Sequence, residues 1–296
     1  MTAVSRQRQA APTAYEVSRL EDRRRIRELL EPERAYSAYA LAQLDPRLFP
    51  LNEWYLSSGP SGEALLVHSF SGLGRALFAT GDAQALDAVL SLHPGPRFAF
   101  GSMKAEHKPV LEKYFVLTRP QSMLRMSVTS RSFSPAAGEA FRLEPPDVPA
   151  VNRLYSAEGG PTAYKTAHME EGVYYGVRVD GGLVAIAGTH VVSPVERIAV
   201  VGNVFTHPRY RGRGLATIAT SAVTAELLRA CDPVVLTVEE RNLPAVALYT
   251  KLGYRTECHL HETPLIRKEP LGIVSAVRRG IAGWRGRHEG KEVVIK

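Results

Sequence analysis

The run Val200-Val201-Gly202-Asn203-Val204-Phe205-Thr206-His207-Pro208 leads into Arg209-Tyr210-Arg211-Gly212-Arg213-Gly214, and Leu215-Ala216-Thr217 follows at once. Apolar residues then recur at three and four positions, Leu215, Ile218, Ala219, Ala222, Val223 and Leu227, which predicts a helix with one apolar stripe. A buried strand that passes through a basic glycine turn into a helix is an anion cradle. The first amides of the helix lack intrahelical partners and stand at the positive end of its dipole. Gly212 and Gly214 let a ligand approach the backbone, and Arg211 and Arg213 add charge suited to a diphosphate. Spacing excludes other phosphate loops: there is no Lys-Ser or Lys-Thr ending, and neither the third glycine nor the later acidic residue of a dinucleotide fingerprint. Taken alone, the glycine turn fits a structural role equally well.

A second pair of candidates stands downstream. Val234 to Val238 reads as a strand, and Asn242 has the side chain and place of a helix N-cap, with Pro244 in the first turn and Gly253 at the end. Asn242 and Tyr249 are seven residues apart, which at about 100° per residue leaves them within roughly 20° on one helix face. Both can look into one cleft; the alternative is that Asn242 only caps and Tyr249 only fills the core.

The elements that must hold these residues form an orderly series. Strand Phe141 to Glu144 is followed by helices Val148 to Ala157 and Thr162 to Glu170, then strands Val173 to Val179 and Leu183 to Val192 joined at Asp180-Gly181-Gly182. Strand Ile198 to Thr206, helix Gly214 to Ala230, strand Val234 to Glu239, helix Leu243 to Leu252 and strand Tyr254 to His261 complete it. This order predicts an α/β (α+β) fold with a mixed, mostly antiparallel sheet and helices on both faces. Upstream, Glu63 to His68, Ala76 to Thr80, Phe98 to Gly101, Lys113 to Leu117 and Met123 to Val128 read as strands, with a helix at Ala83 to Leu92. Arg19 to Arg34 reads as an exposed amphipathic helix. The turn-rich stretch 132–140 is placed as the domain boundary, giving a disordered N-terminus 1–14, a first domain 15–132, a second domain 141–265 and a basic tail 266–296. In that tail, glycines weaken any helix, so packing or disorder is expected.

Composition agrees with a globular protein: 45% of residues are hydrophobic and 23% charged. No apolar run suits a signal peptide or a membrane span, and two cysteines, Cys231 and Cys258, fit a reducing compartment as buried apolar side chains, so a cytoplasmic location is expected. The formal charge of +7 is uneven. Residues 141–265 hold 12 basic and 13 acidic side chains, whereas 266–296 hold 8 and 3. The high charge therefore gives no strong indication of nucleic-acid binding.

Val204-Phe205-Thr206-His207-Pro208 with Arg209 to Ala216, then Asn242 with Ala247-Leu248-Tyr249 and Leu252-Gly253-Tyr254, resemble the superfamily of acyl-coenzyme-A-dependent N-acetyltransferases abbreviated GNAT. The resemblance implies acetyl-coenzyme A as co-substrate. It implies that Val204, Phe205 and Thr206 pair with the pantetheine arm, that Arg211, Gly212, Arg213, Gly214, Leu215, Ala216 and Thr217 bind the diphosphate, that Asn242 bonds the arm, and that Tyr249 protonates the departing thiolate. Gly202-Asn203 is the expected place for a bulge that splays the strand. Several relatives carry a basic Glu where this chain has Thr237, so Glu239 or a water chain is expected to take that part, with a solvated strand-end charge as the alternative reading of Glu239. His190, Glu196 and Asn203 are candidate substrate contacts. His259 and His261 share a strand face without a third ligand, so no metal site is expected. The first domain resembles a degenerate second copy of the same fold, with Gly72-Leu73-Gly74-Arg75 too isolated to be a phosphate loop, an arrangement similar to glycine N-acyltransferases.

The implied reaction is direct attack of a neutral amine on a thioester. The acceptor is expected to be a small-molecule amine or amino acid. A protein N-terminal or lysine acetyltransferase and a non-catalytic acyl-coenzyme-A sensor remain alternatives, and a homodimer is left open.

Overall fold

The computed structural model describes residues 14–70, 74–159, 164–269 and 271–289. Expectations that fall on residues 1–13, on Gly72, Leu73 and Thr162, and on residues 290–296 lie outside the described residues. The elements in the first part of the chain are β1 (Glu16–Arg19), α1 (Arg23–Leu30), α2 (Ala38–Ala42), β2 (Asn52–Gly59), β3 (Gly62–Ser69), β4 (Ala76–Gly81), α3 (Ala83–Leu92), β5 (Phe98–Met103), α4 (Lys108–Tyr114), β6 (Phe115–Leu117) and β7 (Gln121–Val128). Then come β8 (Phe141–Arg142), α5 (Val148–Ser156), α6 (Thr166–Glu171), β9 (Tyr175–Val179), β10 (Gly182–Ser193), β11 (Ile198–Thr206), α7 (Leu215–Leu227), β12 (Val234–Glu239), α8 (Leu243–Lys251), β13 (Arg255–Arg267) and α9 (Ile273–Glu289).

Two compact units share these elements. One contains the described residues up to Ile26, Asn52–Arg119 and those from Thr263 onward. Its strands run in the order β1-β2-β3-β4-β5, antiparallel except for the parallel pair β4-β5. Leu265, Ile266 and Arg267 of β13 pair antiparallel with β6. Asp82 fixes the start of α3 by accepting from the amides of Gln84 and Ala85, both at 2.9 Å. The helix then buries Ala85, Leu86, Val89 and Leu90.

The other unit contains Arg27–Leu51 and Pro120–Glu262. Here β8-β9-β10-β11 are antiparallel, β11-β12 parallel, and β7 pairs antiparallel with β12 on one side and with Arg255–Glu262 of β13 on the other. The same succession of strand senses thus occurs twice, as expected for two copies in tandem. Along β10, Ala185 and Ala187 join the core under α7, while Ile186 joins the core under α5. Alternate residues of a strand point to opposite faces, so helices cover both sides of this sheet.

Neither unit is a continuous stretch. Residues 27–51 and β7 fall in the second unit and residues 263–267 in the first, whereas the sequence pattern divides the chain at 132–140. Periodicity is local and strand pairing is not, which accounts for the difference. Lys113 and Tyr114 close α4 rather than open a strand. In the tail, α9 forms despite Gly280 and Gly283 because it packs against α3, with Ser275 buried and Arg279 donating to the carbonyl of Leu92. Cys231 is buried as expected, but Cys258 is half-buried, and neither is in a disulfide. Among the described residues no helix is long and apolar enough to cross a membrane.

The segment 27–51 is tied to its unit by charge. Arg27 donates from Nε and Nη2 to the two carboxylate oxygens of Glu196 at 2.8 and 2.6 Å. The Glu196 side chain is 2% exposed and that of Arg27 37%. Removing each partner therefore costs a different amount. Arg27→Met removes two charge-assisted bonds from a buried carboxylate and is expected to lose about 3 kcal/mol, while Glu196→Gln leaves a guanidinium that still reaches water and loses about 1 kcal/mol. Denaturant unfolding checks this order, and equal losses would contradict it.

Candidate active site

β10 and β11 form a hairpin that is regular only in part. Between the pairs Ile186–Phe205 and Gly188–Gly202 one strand advances two residues and the other three. The extra residue makes a bulge, and Asn203 within it has a φ of 54°, a left-handed conformation that asparagine tolerates better than most residues. Its own groups hold it there: Nδ2 donates to the carbonyl of Thr189 at 3.1 Å and to the Tyr174 hydroxyl at 3.2 Å, and its carbonyl accepts from the Tyr155 hydroxyl at 2.6 Å. This is the bulge that Gly202-Asn203 led us to expect.

On its other edge β11 pairs with β12 only at Ala199–Val234, Val200–Val235 and Val201–Leu236. Beyond those pairs β12 continues along β7 to Glu239, and β11 continues along β10 to Thr206. The two parallel strands separate, and the main chain of residues 202–206 that would face β12 is left without a strand partner. The Thr206 hydroxyl is buried with no hydrogen bond.

The glycine turn lies at the end of this strand. His207 Nδ1 accepts from the amide of Arg209 at 3.3 Å, starting a single tight turn over Pro208–Tyr210. Gly212 and Gly214 have φ of 76° and 75°, and a Cβ at either would meet nothing within 4 Å. Backbone conformation, not crowding, demands glycine here, and the space above both is open. Gly214 starts α7 with no side-chain cap, so the first helical amides keep their donors for a ligand. Arg213 is exposed beside the ring of Tyr210, its Cζ 5.2 Å from the centroid. Arg211 is ion-paired with Glu158 and donates to the carbonyl of Thr206 at 3.3 Å.

Asn242 caps α8 by accepting from the amide of Ala245 at 3.3 Å. Capping uses Oδ1 and leaves the Nδ2 donor unengaged among the described residues, so the cap does not use up this side chain. Tyr249 is buried, 7% exposed, with its ring edge-on to Tyr254 at 5.9 Å. Burial pushes its hydroxyl up to about 12. Its hydroxyl makes no hydrogen bond among the described residues, whereas those of Tyr155, Tyr174 and Tyr254 bond Asn203, Thr189 and Thr224.

The remaining candidates divide. His190 sits at a second irregularity of the hairpin, between Thr189 and Val191, next to Gly202. Its Nδ1 is 2.6 Å from the Tyr39 hydroxyl, and burial holds the imidazole below its ordinary pKa, so it is neutral at neutral pH. The structure thus brings His190 and Asn203 together. It does not bring Glu196 to them. Glu196 lies past the hairpin end marked by Ser193–Ile198, four residues or about 13 Å along the strand from Gly202, with its carboxylate committed to Arg27. Glu239 is ion-paired with Arg241. The Thr237 hydroxyl accepts from Arg125.

Arg125 and Tyr39 escaped the sequence reading. The signal for the first was present: a lone arginine within the apolar run Met123 to Val128. Tyr39, in Ala38–Ala42, had no such mark. Among the described residues no group of three His, Cys, Asp or Glu side chains is placed to hold a metal ion.

Comparison with known proteins bears on the same region. Residues 139–254 match the family described as Acetyltransferase (GNAT) family. A GNAT-family acetyltransferase structure from Novosphingobium aromaticivorans is 26% identical with a TM-score of 0.50, covering 66% of this chain and 88% of its own. GCN5-related N-acetyltransferases from Kribbella flavida (17% identical, TM-score 0.54, 79% and 95% covered) and Sphaerobacter thermophilus (16%, 0.55, 87% and 98%) share the fold. A search of curated proteins found no match. The separated parallel strands, the glycine turn and the capped α8 all lie within residues 139–254, the stretch that matches the GNAT acetyltransferase family.

Proposed function

We propose that the chain is an N-acyltransferase that moves an acetyl or other short acyl group from acyl-coenzyme A to a primary amine of a small molecule or amino acid. The observation that carries this reading is the separation of β11 from β12 beyond Val201 and Leu236, with the uncapped start of α7 at the end of the same strand.

The residues fit a coenzyme A thioester. An extended amide chain needs main-chain partners, and residues 202–206 have them to give, together with the unbonded Thr206 hydroxyl. On this reading Val204, Phe205 and Thr206 bind the arm with the Asn242 amide. Arg211 to Thr217 take the diphosphate, the main chain supplying most of the contact because Arg211 is already paired with Glu158. The bound thioester supplies the activated acyl group.

The chain's own groups handle protons and access. Tyr249, held neutral to about 12 by burial, keeps its proton against an ordinary thiol of about 8.5. It acts as a hydrogen-bond donor that stabilises the sulfur as negative charge builds there. Thr237 cannot serve as a base, and Arg241 occupies Glu239. The neutral imidazole of His190 can accept a proton, and an amine of pKa about 8 needs less help than a lysine at about 10.4. Helix α2 packs over β10 and β11, which supports a small acceptor over an open groove for protein.

Tyr249→Phe is expected to lower thiol release from acetyl-coenzyme A about 10²-fold while calorimetric affinity for the thioester stays within a factor of two. Because its hydroxyl has no partner, unfolding free energy should hold, whereas Tyr254→Phe loses about 1 kcal/mol with the 2.8 Å bond to Thr224. An unchanged rate in Tyr249→Phe removes it from the mechanism. Gly214→Ala imposes a left-handed alanine, so stability should drop by about 1 kcal/mol and the thioester dissociation constant rise at least tenfold. Normal affinity in that variant, or no binding of any coenzyme A thioester to the wild type, would refute the reading.

A further inference from the structure

Arg125 lies in the middle of β7, paired in register with Thr237 on one side and Cys258 on the other, and it is 0% exposed. Only Nη1 is satisfied, by the Thr237 hydroxyl. Nε and Nη2 are buried with no hydrogen-bond partner, and no ion pair to this guanidinium occurs among the described residues. The ring of Tyr39, its centroid 5.1 Å from Cζ, is the one group stacked on the charge. An uncompensated buried charge costs several kcal/mol, and the two unsatisfied nitrogens form the side of the guanidinium that grips a carboxylate with two parallel bonds. This chain shows that fork in use: Arg27 holds Glu196 through the same two atoms.

Position gives the fork its meaning. Thr237 is the first residue of β12 beyond its last pair with β11, Val201–Leu236, so Arg125 anchors the point at which the strands part. The groups beside it are neutral: Tyr39, and His190, whose imidazole bonds Tyr39. Of the acids on the flanking strands, Glu257 is hydrogen-bonded to Ser127 and Glu239 is paired with Arg241.

We propose that Arg125 binds the carboxylate of the acceptor, which makes the acceptor an amino acid rather than a simple amine, a polyamine or a protein lysine. The inference rests on the acyl-transfer reading of the same opening. A carboxylate held at the parting of the strands places the amine two or three bonds away toward the delivered acyl group. Neither a polyamine nor a lysine side chain offers an anion at that spacing, and each would bring positive charge against a guanidinium with no carboxylate beside it to offset it.

The experiment pairs each amino acid, glycine, β-alanine and the common L-amino acids, with its amide, and measures thiol release from acetyl-coenzyme A by the full-length protein. At least one acid is expected to exceed its amide by about 10²-fold or more in kcat/KM. Arg125→Gln should raise the KM for that acid at least 30-fold and leave the KM for acetyl-coenzyme A within threefold, and Arg125→Lys should fall between. Amides that serve as well as acids overturn the proposal without touching acyl transfer, as does an Arg125→Gln defect spread equally over both substrates. If Arg125→Gln does not fold, the acid and amide comparison on the wild type decides. Should no acceptor release thiol, thermal stabilisation by the same acids is the readout. A shift in the wild type that is reduced in Arg125→Lys keeps the carboxylate site and sinks acyl transfer; no shift with any acid, or a shift unchanged in Arg125→Lys, sinks the carboxylate site.

Discussion

Backbone pairing sets the site. A main-chain amide or carbonyl removed from water must find a partner, and a sheet meets that demand by keeping neighbours in register. Here the register between two parallel strands stops after three pairs, yet both strands go on. Each is held on its outer edge, β12 by β7 and β11 by β10, so the opening between them is framed by regular strands rather than loops. The Asn203 bulge belongs to the same device. One extra residue in β11 increases its local twist, and three hydrogen bonds from Tyr155, to Tyr174 and to Thr189 keep that residue in its left-handed conformation. A site framed this way is fixed before any ligand arrives.

Much of this was legible because it is written locally. The apolar run from Ile198 to Thr206, the glycine turn and the helical period from Leu215 announce strand, cradle and helix with bounds within a few residues of those observed, and Gly202-Asn203 marks the bulge. The partner of β12 was not legible in this way. It comes from residues 121–128, whose alternation is the same whichever strand they join. β1 and β2, with Glu, Ser, Arg, Asn and Gly among their residues, are absent from the strands the sequence predicts, and only pairing with neighbours makes strands of them. Domain bounds failed to follow composition for the same reason, since the turn-rich stretch after Ser132 marks a change of pattern and not a change of core.

Charge in the site is arranged differently from charge in the chain. The net positive balance belongs largely to the tail beyond Leu265, while residues 141–265 are close to neutral. Burial removes charge from side chains that could carry it: Tyr249 is held as a phenol and His190 as a neutral imidazole. The glycine turn offers backbone dipoles more than free cations, because Arg211 is already paired. The site thus presents oriented donors with little counter-charge of its own. That suits ligands that bring negative charge with them and a leaving group that acquires it.

Arg125 stands out against this economy of charge. Several other arginines are neutralised from within the chain: Arg27 with Glu196, Arg142 with Glu226, Arg178 with Asp147. Those pairs are partly open to water, where an unpaired guanidinium would be tolerable. Among the described residues the arginine closed off completely, where an unpaired charge is least tolerable, is Arg125, and the fold faces it with the Thr237 hydroxyl and with Tyr39 rather than with an acid. Folding alone would favour methionine or leucine in the run between Leu124 and Met126. A guanidinium at that place is explained by a carboxylate arriving from outside the chain, at the point where β11 and β12 part.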